Sequence, residues 1–375
     1  MVYEMNEKKK FIGISPAGIF SGFETSFFNA VEKQGWESIY FPIELPCFKL
    51  LCTLKSFSIN KSKWGLSRDL AYNTSIDAFK KKSKYVKKII QKNQKKYDLI
   101  YQIGGLWNPI PNDCSIPHVL TIDYTSKLSE RRKSEWMRKP GDESNFWYKE
   151  EKKLFNSTDF ICATTKNAKN SLINDYSIPS EKIKVVGPGL SEPFDDFNDF
   201  KLPDYQGEKI LFIGKGYKGK GLDTLIRAFR QIRNELPKSR LLIVGPTKKI
   251  EGDGIEYFGR IADKRKIIDL YYSASVFVMP SIFEPVGQVF LEAMSCKLPC
   301  IGTSVDAMPE LIKNNETGFI VSPGDIDALA HKIITILTNP DLAKNMGAKG
   351  YKRLKEKFTW DVVGKKISET FESLL

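Results

Sequence analysis

Glycine and lysine alternate in the segment Ile210–Phe229, ILFIGKGYKGKGLDTLIRAF, between an apolar run and an amphipathic one. Such a turn exposes backbone N–H groups where a helix begins, and these groups bind phosphate. Lys215 and Lys220 add positive charge, and Gly214 and Gly216 let the backbone come close to a ligand. The segment therefore predicts a diphosphate site, although an exposed lysine-rich turn would have the same composition.

Two known phosphate-binding templates nearly fit this turn. The dinucleotide fingerprint also requires a carboxylate after the next strand, and residues Gly245–Lys248 supply none. The phosphate loop of nucleotide hydrolases matches at Lys220, but Gly221 stands where a Ser or Thr hydroxyl would hold magnesium. What remains is a cationic turn suited to a diphosphate without an obligatory metal.

Two glutamates downstream, Glu284 and Glu292, are the second group with chemical potential. Pro285 favours the first helical position, which would place Glu284 at the cap and Glu292 two turns inside. The carboxylates would then lie roughly 12 Å apart along the axis, a distance suited to holding a sugar and a ribose. The backbone of Val286 and Gly287 would face the diphosphate between them. Read alone, the two glutamates are more typical of a solvated surface pair.

The elements that must position these residues are strands alternating with helices, which implies parallel sheets with right-handed crossovers. The glutamates follow the predicted strand Val276–Met279, and open α/β sheets bind ligands at the carboxyl ends of their strands. The chain is too long for one ordinary core, so we expect two Rossmann-like doubly wound α/β domains with a central cleft. The expected strands are Phe11–Ser15, Ser38–Phe41, Leu99–Ile103, His118–Asp123, Phe160–Thr164 and Ile183–Val186, then Ile210–Gly214, Leu241–Gly245, Ile255–Phe258, Val276–Met279, Cys300–Thr303 and Phe319–Val321.

Composition excludes several classes of protein. With 41% hydrophobic and 27% charged residues the chain reads as folded and globular. It holds no apolar run long enough to span a bilayer, and the charged start Met1–Lys10 is unlike a signal peptide. The six cysteines have no metal or redox spacing and are interpreted as buried, reduced thiols of a cytoplasmic protein.

Much of the net charge of +13 falls in Lys80–Lys96. One interpretation is a solvated helix face above an apolar stripe of Tyr85, Ile89 and Ile90. The other is attraction to an anionic membrane surface or an acidic acceptor. Nucleic acid is not an expected partner, because aromatic residues do not recur among the lysines.

Taken together, these stretches resemble the family-four retaining glycosyltransferases of the GT-B fold. The resemblance is nearly continuous through the C-terminal half and weaker in the N-terminal half. It implies an N-terminal acceptor-binding domain over 1–190, a linker over 191–207, a sugar-nucleotide domain over 208–355, and a helix over 356–375 that crosses back. The motifs that carry it are Lys220–Leu225, Phe258–Ile261, Tyr271–Val278, Glu284–Glu292, Pro309–Leu311, Thr317–Val321 and Phe358–Trp360.

The resemblance also implies roles for residues of the C-terminal half. Lys220 would bind the donor diphosphate, and Lys215 takes the place of the usual arginine. Glu292 would bind the ribose and Glu284 the transferred sugar, with Pro285, Val286 and Gly287 also against the donor. Arg260 and Ile261 would lie near the base.

Other positions depart from the family pattern. Gly22 matches an N-terminal glycine loop, whereas Asp123 stands where many members have a histidine, and we expect it to orient a donor or acceptor hydroxyl. Asp306 and Ala307 replace a usual glycine pair. His118 enters its strand early and is interpreted as a packed core histidine.

The expected function is transfer of a hexose from a nucleoside-diphosphate sugar to a hydroxyl of a glycan, lipid or small acceptor. The resemblance implies retention of configuration, no metal and no other cofactor. Two alternatives are a non-catalytic relative that binds sugar nucleotides and a sugar-nucleotide epimerase. A nicotinamide-dependent oxidoreductase fits less well because the ribose carboxylate is missing. We expect a cytoplasmic protein that also lies peripherally on the cytoplasmic membrane face.

Overall fold

The protein divides into two compact units in a computed structural model that describes residues 9–16, 23–58, 61–111, 113–132, 142–190, 194, 201–246 and 249–375. The described residues of Met1–Thr164, Ala168–Val186 and Val363–Leu375 form the first unit. Those of Thr165–Asn167 and Gly187–Val362 form the second. The domain limits expected from the sequence remain a prediction.

The first unit is built on a parallel six-stranded sheet of order β2-β1-β3-β4-β5-β6. Every residue of its two central strands, β3 and β4, is buried, as expected for a parallel sheet covered on both faces. The strands are β1 (Lys10–Pro16), β2 (Glu37–Ile43), β3 (Leu99–Ile103), β4 (His118–Ile122), β5 (Phe160–Ala163) and β6 (Ile183–Val185). The helices up to this point of the chain are α1 (Phe23–Glu32), α2 (Pro46–Lys55), α3 (Lys61–Thr74), α4 (Ile76–Asn93), α5 (Ser126–Arg132), α6 (Asp142–Ser157) and α7 (Lys166–Tyr176), with short 3₁₀ helices at Gln94–Lys96 and Ser180–Lys182.

The second unit holds a parallel sheet of order β12-β11-β10-β7-β8-β9. The strand order reverses between the neighbours β7 and β10, which is the topological switch point where doubly wound sheets bind their ligands. The strands are β7 (Lys209–Ile213), β8 (Arg240–Val244), β9 (Ile255–Gly259), β10 (Val276–Val278), β11 (Cys300–Thr303) and β12 (Gly318–Val321). The helices are α8 (Leu222–Glu235), α9 (Lys264–Ser273), α10 (Gln288–Ser295), α11 (Met308–Leu311), α12 (Ile326–Leu337), α13 (Pro340–Lys357) and α14 (Trp360–Glu372).

Helix α14 returns the end of the chain to the first unit. Phe371 packs with ring centroids 5.7 Å from Phe11 and 5.0 Å from Trp36. The indole N–H of Trp36 donates to Ser368 at 3.0 Å. The last residues therefore contribute to the core beside β1.

The expected α/β class, with a doubly wound sheet in each unit, is confirmed. Each of the twelve expected strands is present, with ends that differ by at most two residues from the expected ones. Apolar runs of four or five residues bounded by polar residues and turns are typical of buried parallel strands. The sequence therefore predicts the strands correctly. None of the described helices combines the length and apolar character needed to cross a bilayer.

Two expectations about side-chain burial are wrong. The buried face of α4 is carried by Phe79, Val86 and Ile90, whereas Tyr85 is exposed, because α4 packs on α3 and α6 along a different stripe. The six cysteines are free thiols, but Cys47 on α2 is exposed and Cys114 is half-buried, so only the other four are buried as expected.

Lys82 is the buried lysine of α4, and it lies among the helices α2, α3 and α4. Its ammonium donates to the Asn73 side-chain oxygen at 3.0 Å and lies 4.3 Å from the centre of the Tyr72 ring. Burial lowers the pKa of Lys82 to about 8, because the charged form loses its hydration.

This pKa predicts how stability depends on pH. Between pH 8 and 10.5 the unfolded chain keeps a proton at Lys82 that the folded chain releases, so stability rises with pH in this window. A Lys82→Met variant lacks this titration. The difference in unfolding free energy between the variant and the parent should therefore change by on the order of 3 kcal/mol across the window. Urea unfolding at a series of pH values measures it, and a difference independent of pH would contradict it.

Candidate functional site

The glycine-lysine turn connects β7 to α8 and is closed by its own backbone. Gly221 adopts a left-handed φ of 69°, and its N–H donates to Lys218 O at 3.0 Å. The N–H of Leu222 donates to Tyr217 O at 3.0 Å. Both amides are used inside the turn, so these two are not among the exposed donors that the sequence predicts at the helix start.

The turn is joined closely to the loop that follows β10. Gly219 O accepts the N–H groups of Ile282 and Phe283 at 3.1 and 3.3 Å. A Cβ at Gly221 would lie 1.9 Å from Pro280 O, a distance no side chain tolerates. Glycine therefore stands where phosphate loops have Ser or Thr because the neighbouring loop occupies that space.

Lys220 and Glu284 meet across this junction. The Lys220 ammonium lies 2.8 Å from Glu284 Oε2 and donates to Phe283 O at 3.3 Å. A lysine ammonium has three protons, so these two bonds to described residues leave one for a ligand. The structure thus brings together the cation of the turn and the first glutamate, as the sequence analysis requires.

The start of α10 differs from the expectation. Gly287, with φ of 75°, is the residue before the helix, and α10 begins at Gln288. Pro285 therefore lies in the loop and not in the first helical turn, and Glu292 lies little more than one turn inside the helix. The reason is that Glu284 Oε1 accepts the N–H of Gly287 at 3.0 Å, which closes a loop where a helical turn was expected.

Asp306, which follows β11, supports the Glu284 loop from the other side. It is buried, its φ is 47°, and its Oδ2 accepts the N–H of Glu284 at 3.0 Å. The N–H of Ala307 donates back to Glu284 O at 3.2 Å. Aspartate is among the residues that tolerate a left-handed backbone, so Asp306 adopts a conformation that a glycine would also allow and adds a hydrogen-bond acceptor.

Glu292 is held by a tyrosine that the sequence analysis did not single out. The hydroxyl of Tyr271, at the end of α9, lies 2.9 Å from Glu292 Oε2 and 3.2 Å from Val289 O. Tyr271 is fully buried, and burial followed by the charge of Glu292 raises its pKa well above the usual value. Tyr271 is therefore a neutral donor that orients a half-buried carboxylate.

The other expected donor-binding residues differ in how far the folded chain exposes them. The Gly214 N–H donates to Val244 O and is used by the sheet. Lys215 and Arg260 are exposed, and Gly216, Ile261 and Val286 are half-buried. Gly22 lies outside the described residues. The donor-binding roles expected for all these residues stay predictions.

In the first unit, Asp123 is half-buried directly after β4. His118 is buried, with Nε2 hydrogen-bonded to Gln102 Oε1 at 3.0 Å, and burial lowers its pKa to about 3. It therefore stays neutral and packed, as expected. In the part of the chain that the structure describes, no three His, Cys, Asp or Glu side chains converge as metal ligands would.

Known proteins resemble this chain in sequence and in fold. Residues 194–353 match the family described as glycosyl transferases group 1. The capsular polysaccharide biosynthesis glycosyltransferase CapM of Staphylococcus aureus is 28% identical over 59% of this chain and 63% of its own length. D-inositol 3-phosphate glycosyltransferase of Streptomyces scabiei is 28% identical over 60% and 56%. These matches span less than two thirds of either relative.

Among solved structures, sucrose-phosphate synthase from Thermosynechococcus elongatus superposes with a TM-score of 0.71 at 19% identity, covering 98% of this chain and 99% of that one. HepE of Anabaena, solved in complex with UDP, gives a TM-score of 0.66 at 17% identity over 97% and 100%. The fold is therefore that of the GT-B glycosyltransferases. Residues 194–353 of the chain are thus similar to the group 1 glycosyltransferases.

The arrangement around Asp306 predicts a graded series of variants. Asp306→Asn keeps a hydrogen-bond acceptor and a residue type that tolerates the left-handed backbone. The free energy of unfolding should therefore change by less than about 1 kcal/mol. Asp306→Gly keeps only the backbone and should lose about 1–3 kcal/mol through the unpaired Glu284 N–H. Asp306→Ala loses both and should lose about 2–4 kcal/mol.

Urea unfolding, with hydrogen exchange of the peptide 281–292, measures this series. Exchange in that peptide should quicken in the order Asn, Gly, Ala. Equal behaviour of all three variants would show that neither the acceptor nor the backbone conformation matters.

Proposed function

We propose that this protein is a retaining glycosyltransferase that moves a hexose from a nucleoside-diphosphate sugar to a hydroxyl of a glycan, lipid or small acceptor. The observation that carries the proposal is the contact between Lys220 and Glu284 at the switch point of the second sheet. It places a cation and a carboxylate where a doubly wound sheet binds its ligand. The complex of the similar HepE fold with UDP supports a nucleotide-linked donor.

Lys220 has two tasks in this proposal. Two of its N–H bonds hold Glu284 Oε2 and Phe283 O, and the third binds the donor diphosphate. Lys215, exposed in the same turn, adds a second cation. Positive charge already in place where the diphosphate departs stabilises the transition state more than the ground state.

The two glutamates hold the two sugars of the donor. Each carboxylate oxygen of Glu284 already accepts one hydrogen bond, from Lys220 and from Gly287, so its orientation is set before the donor binds. Its remaining lone pairs accept hydroxyl protons of the transferred hexose. Glu292, oriented by Tyr271, accepts from the ribose hydroxyls.

In the reaction, the bond between the anomeric carbon and the diphosphate oxygen breaks as the acceptor oxygen bonds to that carbon. The acceptor oxygen approaches on the face that the diphosphate leaves, which retains the configuration. The departing phosphate oxygen takes the acceptor's proton, so the step needs no separate protein base and no metal. Asp123 orients a hydroxyl of the donor or acceptor.

The remaining assignments complete the donor site. Arg260 and Ile261 lie near the base, and Gly214 and Gly216 let the donor approach the backbone. Val286 and its neighbours Pro285 and Gly287 face the diphosphate, and Gly22 contacts the donor from the N-terminal domain. The protein is proposed to work in the cytoplasm, with an anionic membrane surface as a further partner.

Removing the key charges should abolish transfer. Lys220→Ala should lower turnover by roughly 10²- to 10³-fold, the usual effect of losing one charge-stabilising contact. Glu292→Ala should lower turnover at sub-saturating donor through a raised KM, because Glu292 binds the ribose throughout the reaction. Turnover is measured as release of nucleoside diphosphate from a panel of UDP-, GDP- and ADP-hexoses with a mixture of acceptors. Lys218→Ala, an exposed lysine of the same turn, is the matched control and should stay active.

The same assay separates the alternatives. An epimerase would convert the donor into an isomeric sugar nucleotide without releasing the diphosphate. A non-catalytic relative would bind the donor in calorimetry with no product at all. Normal turnover in the Lys220 or Glu292 variant would contradict the site.

Tyr271→Phe tests how Glu292 is oriented. Loss of a hydrogen bond to a charged group costs about 1.5–3 kcal/mol, so KM for the donor should rise roughly tenfold or more. Because the ribose stays bound throughout the reaction, kcat should change much less. Tyr351→Phe, on α13, is the control, and a fall in kcat at constant KM would contradict a role in ribose binding.

A further inference from the structure

Glu310 belongs to the Pro309–Leu311 motif, to which the proposed function gives no task. It lies on α11, shortly after Asp306. Arg353 of α13 donates to the backbone oxygens of Glu310 and Leu311 at 2.7 and 2.9 Å. These two bonds hold the end of α11, so the Glu310 side chain projects from a backbone that is fixed in place.

The Glu310 carboxylate binds the start of α7. Its Oε2 accepts the N–H of Lys166 at 2.7 Å, and its Oε1 accepts the N–H of Asn167 at 3.0 Å. Both of these residues belong to the second unit, as Glu310 does. The first N–H groups of a helix have no partner inside the helix, and a negative charge is favourable beside them. Glu310 therefore sets the position at which α7 begins.

Asn167 extends this contact to the candidate site. Its side-chain Nδ2 donates to Asp306 Oδ1 at 3.3 Å, while Asp306 Oδ2 accepts the N–H of Glu284. Because the two oxygens of a carboxylate are rigidly linked, a bond at one of them restricts the direction of the other. One carboxylate thus joins the start of α7 to the loop that carries Glu284.

We infer that Asn167 and Glu310 are positioning residues of the donor site, which hold Asp306 in the orientation that orders the Glu284 loop. Glu310 places the backbone of Asn167, and the Asn167 side chain holds Asp306. The effect on catalysis rests on the proposed function, which assigns Glu284 to the transferred hexose. The effect on the order of the loop does not depend on it.

Helix capping alone is the simpler role for these residues. An asparagine that serves only its own helix start bonds to the helix backbone through its side-chain oxygen. Asn167 instead directs its side-chain N–H group to Asp306, which lies outside α7. The direction of this bond favours the positioning role.

The first test is a split between kcat and KM. Asn167→Ala should lower kcat roughly tenfold, the lower end for loss of a hydrogen bond to a charged group. KM for the donor should change by less than about threefold, since Lys220 and Glu292 still hold the diphosphate and the ribose. The assay uses whichever UDP-, GDP- or ADP-hexose the parent turns over. Asn170→Ala, which changes an exposed asparagine of α7, is the matched control.

Glu310 is tested by a conservative variant and by a double variant. Glu310→Ala should lower kcat as Asn167→Ala does, whereas Glu310→Gln keeps an acceptor and should recover most of the loss. Glu316→Gln, at an exposed position of the same unit, is the control and should leave kcat unchanged. Because both residues act through one carboxylate, Asn167→Ala/Glu310→Ala should lower kcat by no more than about twofold beyond the larger single effect. Single effects that multiply in the double variant would contradict the inference.

Asn167→Asp separates positioning from helix capping. An acidic residue in the first turn favours a helix, so capping alone predicts an active variant. Contact with Asp306 predicts a kcat below that of Asn167→Ala near pH 8, because the two carboxylates repel each other. The network already contains three carboxylates and one ammonium, those of Asp306, Glu310, Glu284 and Lys220. The pair takes up a proton as the pH falls, so kcat relative to the parent should rise roughly fivefold or more towards pH 5. A ratio independent of pH would count against the contact.

Hydrogen exchange of the peptide 281–292 measures the order of the loop without any donor. Exchange should quicken by roughly tenfold in Asn167→Ala and in Glu310→Ala, and should stay as in the parent in both control variants. Parent-like exchange and kcat in Asn167→Ala would overturn the inference, as would a raised KM at constant kcat. If the parent transfers no hexose at all, the proposed function fails, and the exchange result still decides whether Asn167 orders the loop.

Discussion

The contact between the Lys220 ammonium and the Glu284 carboxylate is the interaction on which the candidate site depends. The two residues are 64 positions apart in the chain, and they meet because β7 and β10 are neighbours at the point where the strand order reverses. One partner comes from the turn after β7 and the other from the loop after β10. The topology of the sheet therefore creates the site, and the two loops complete it.

Backbone conformation keeps that contact in place. Gly221, Gly287 and Asp306 all have left-handed φ values. The side chain of Asp306 also accepts a hydrogen bond from the backbone N–H of Glu284. Each position ends a strand-to-helix connection at the same edge of the sheet. The carboxylate is thus oriented by the hydrogen bonds of three separate loops, which is the kind of preorganisation that favours transition-state stabilisation.

Much of the fold and part of the site could be predicted from the sequence. Buried parallel strands are short continuous apolar runs, so all twelve were recognisable, and the glycine-lysine turn with Glu284 and Glu292 marked the carboxyl edge. The start of α10 was misjudged because the preference of Pro285 for a first helical turn is weaker than the hydrogen bond that Glu284 makes to Gly287. One local preference is thus overridden by another, a side-chain hydrogen bond to the backbone three residues further on.

The role of Tyr271 could not be predicted from the sequence. Its hydroxyl contacts Glu292 from another helix, and the spacing of residues along the chain does not indicate such a contact. The close approach of Gly221 to Pro280 also limits which changes this site can accept. With no room there for even one methyl group, a substitution that reshapes the site has to fall on the side chains around the turn and not on Gly221 itself.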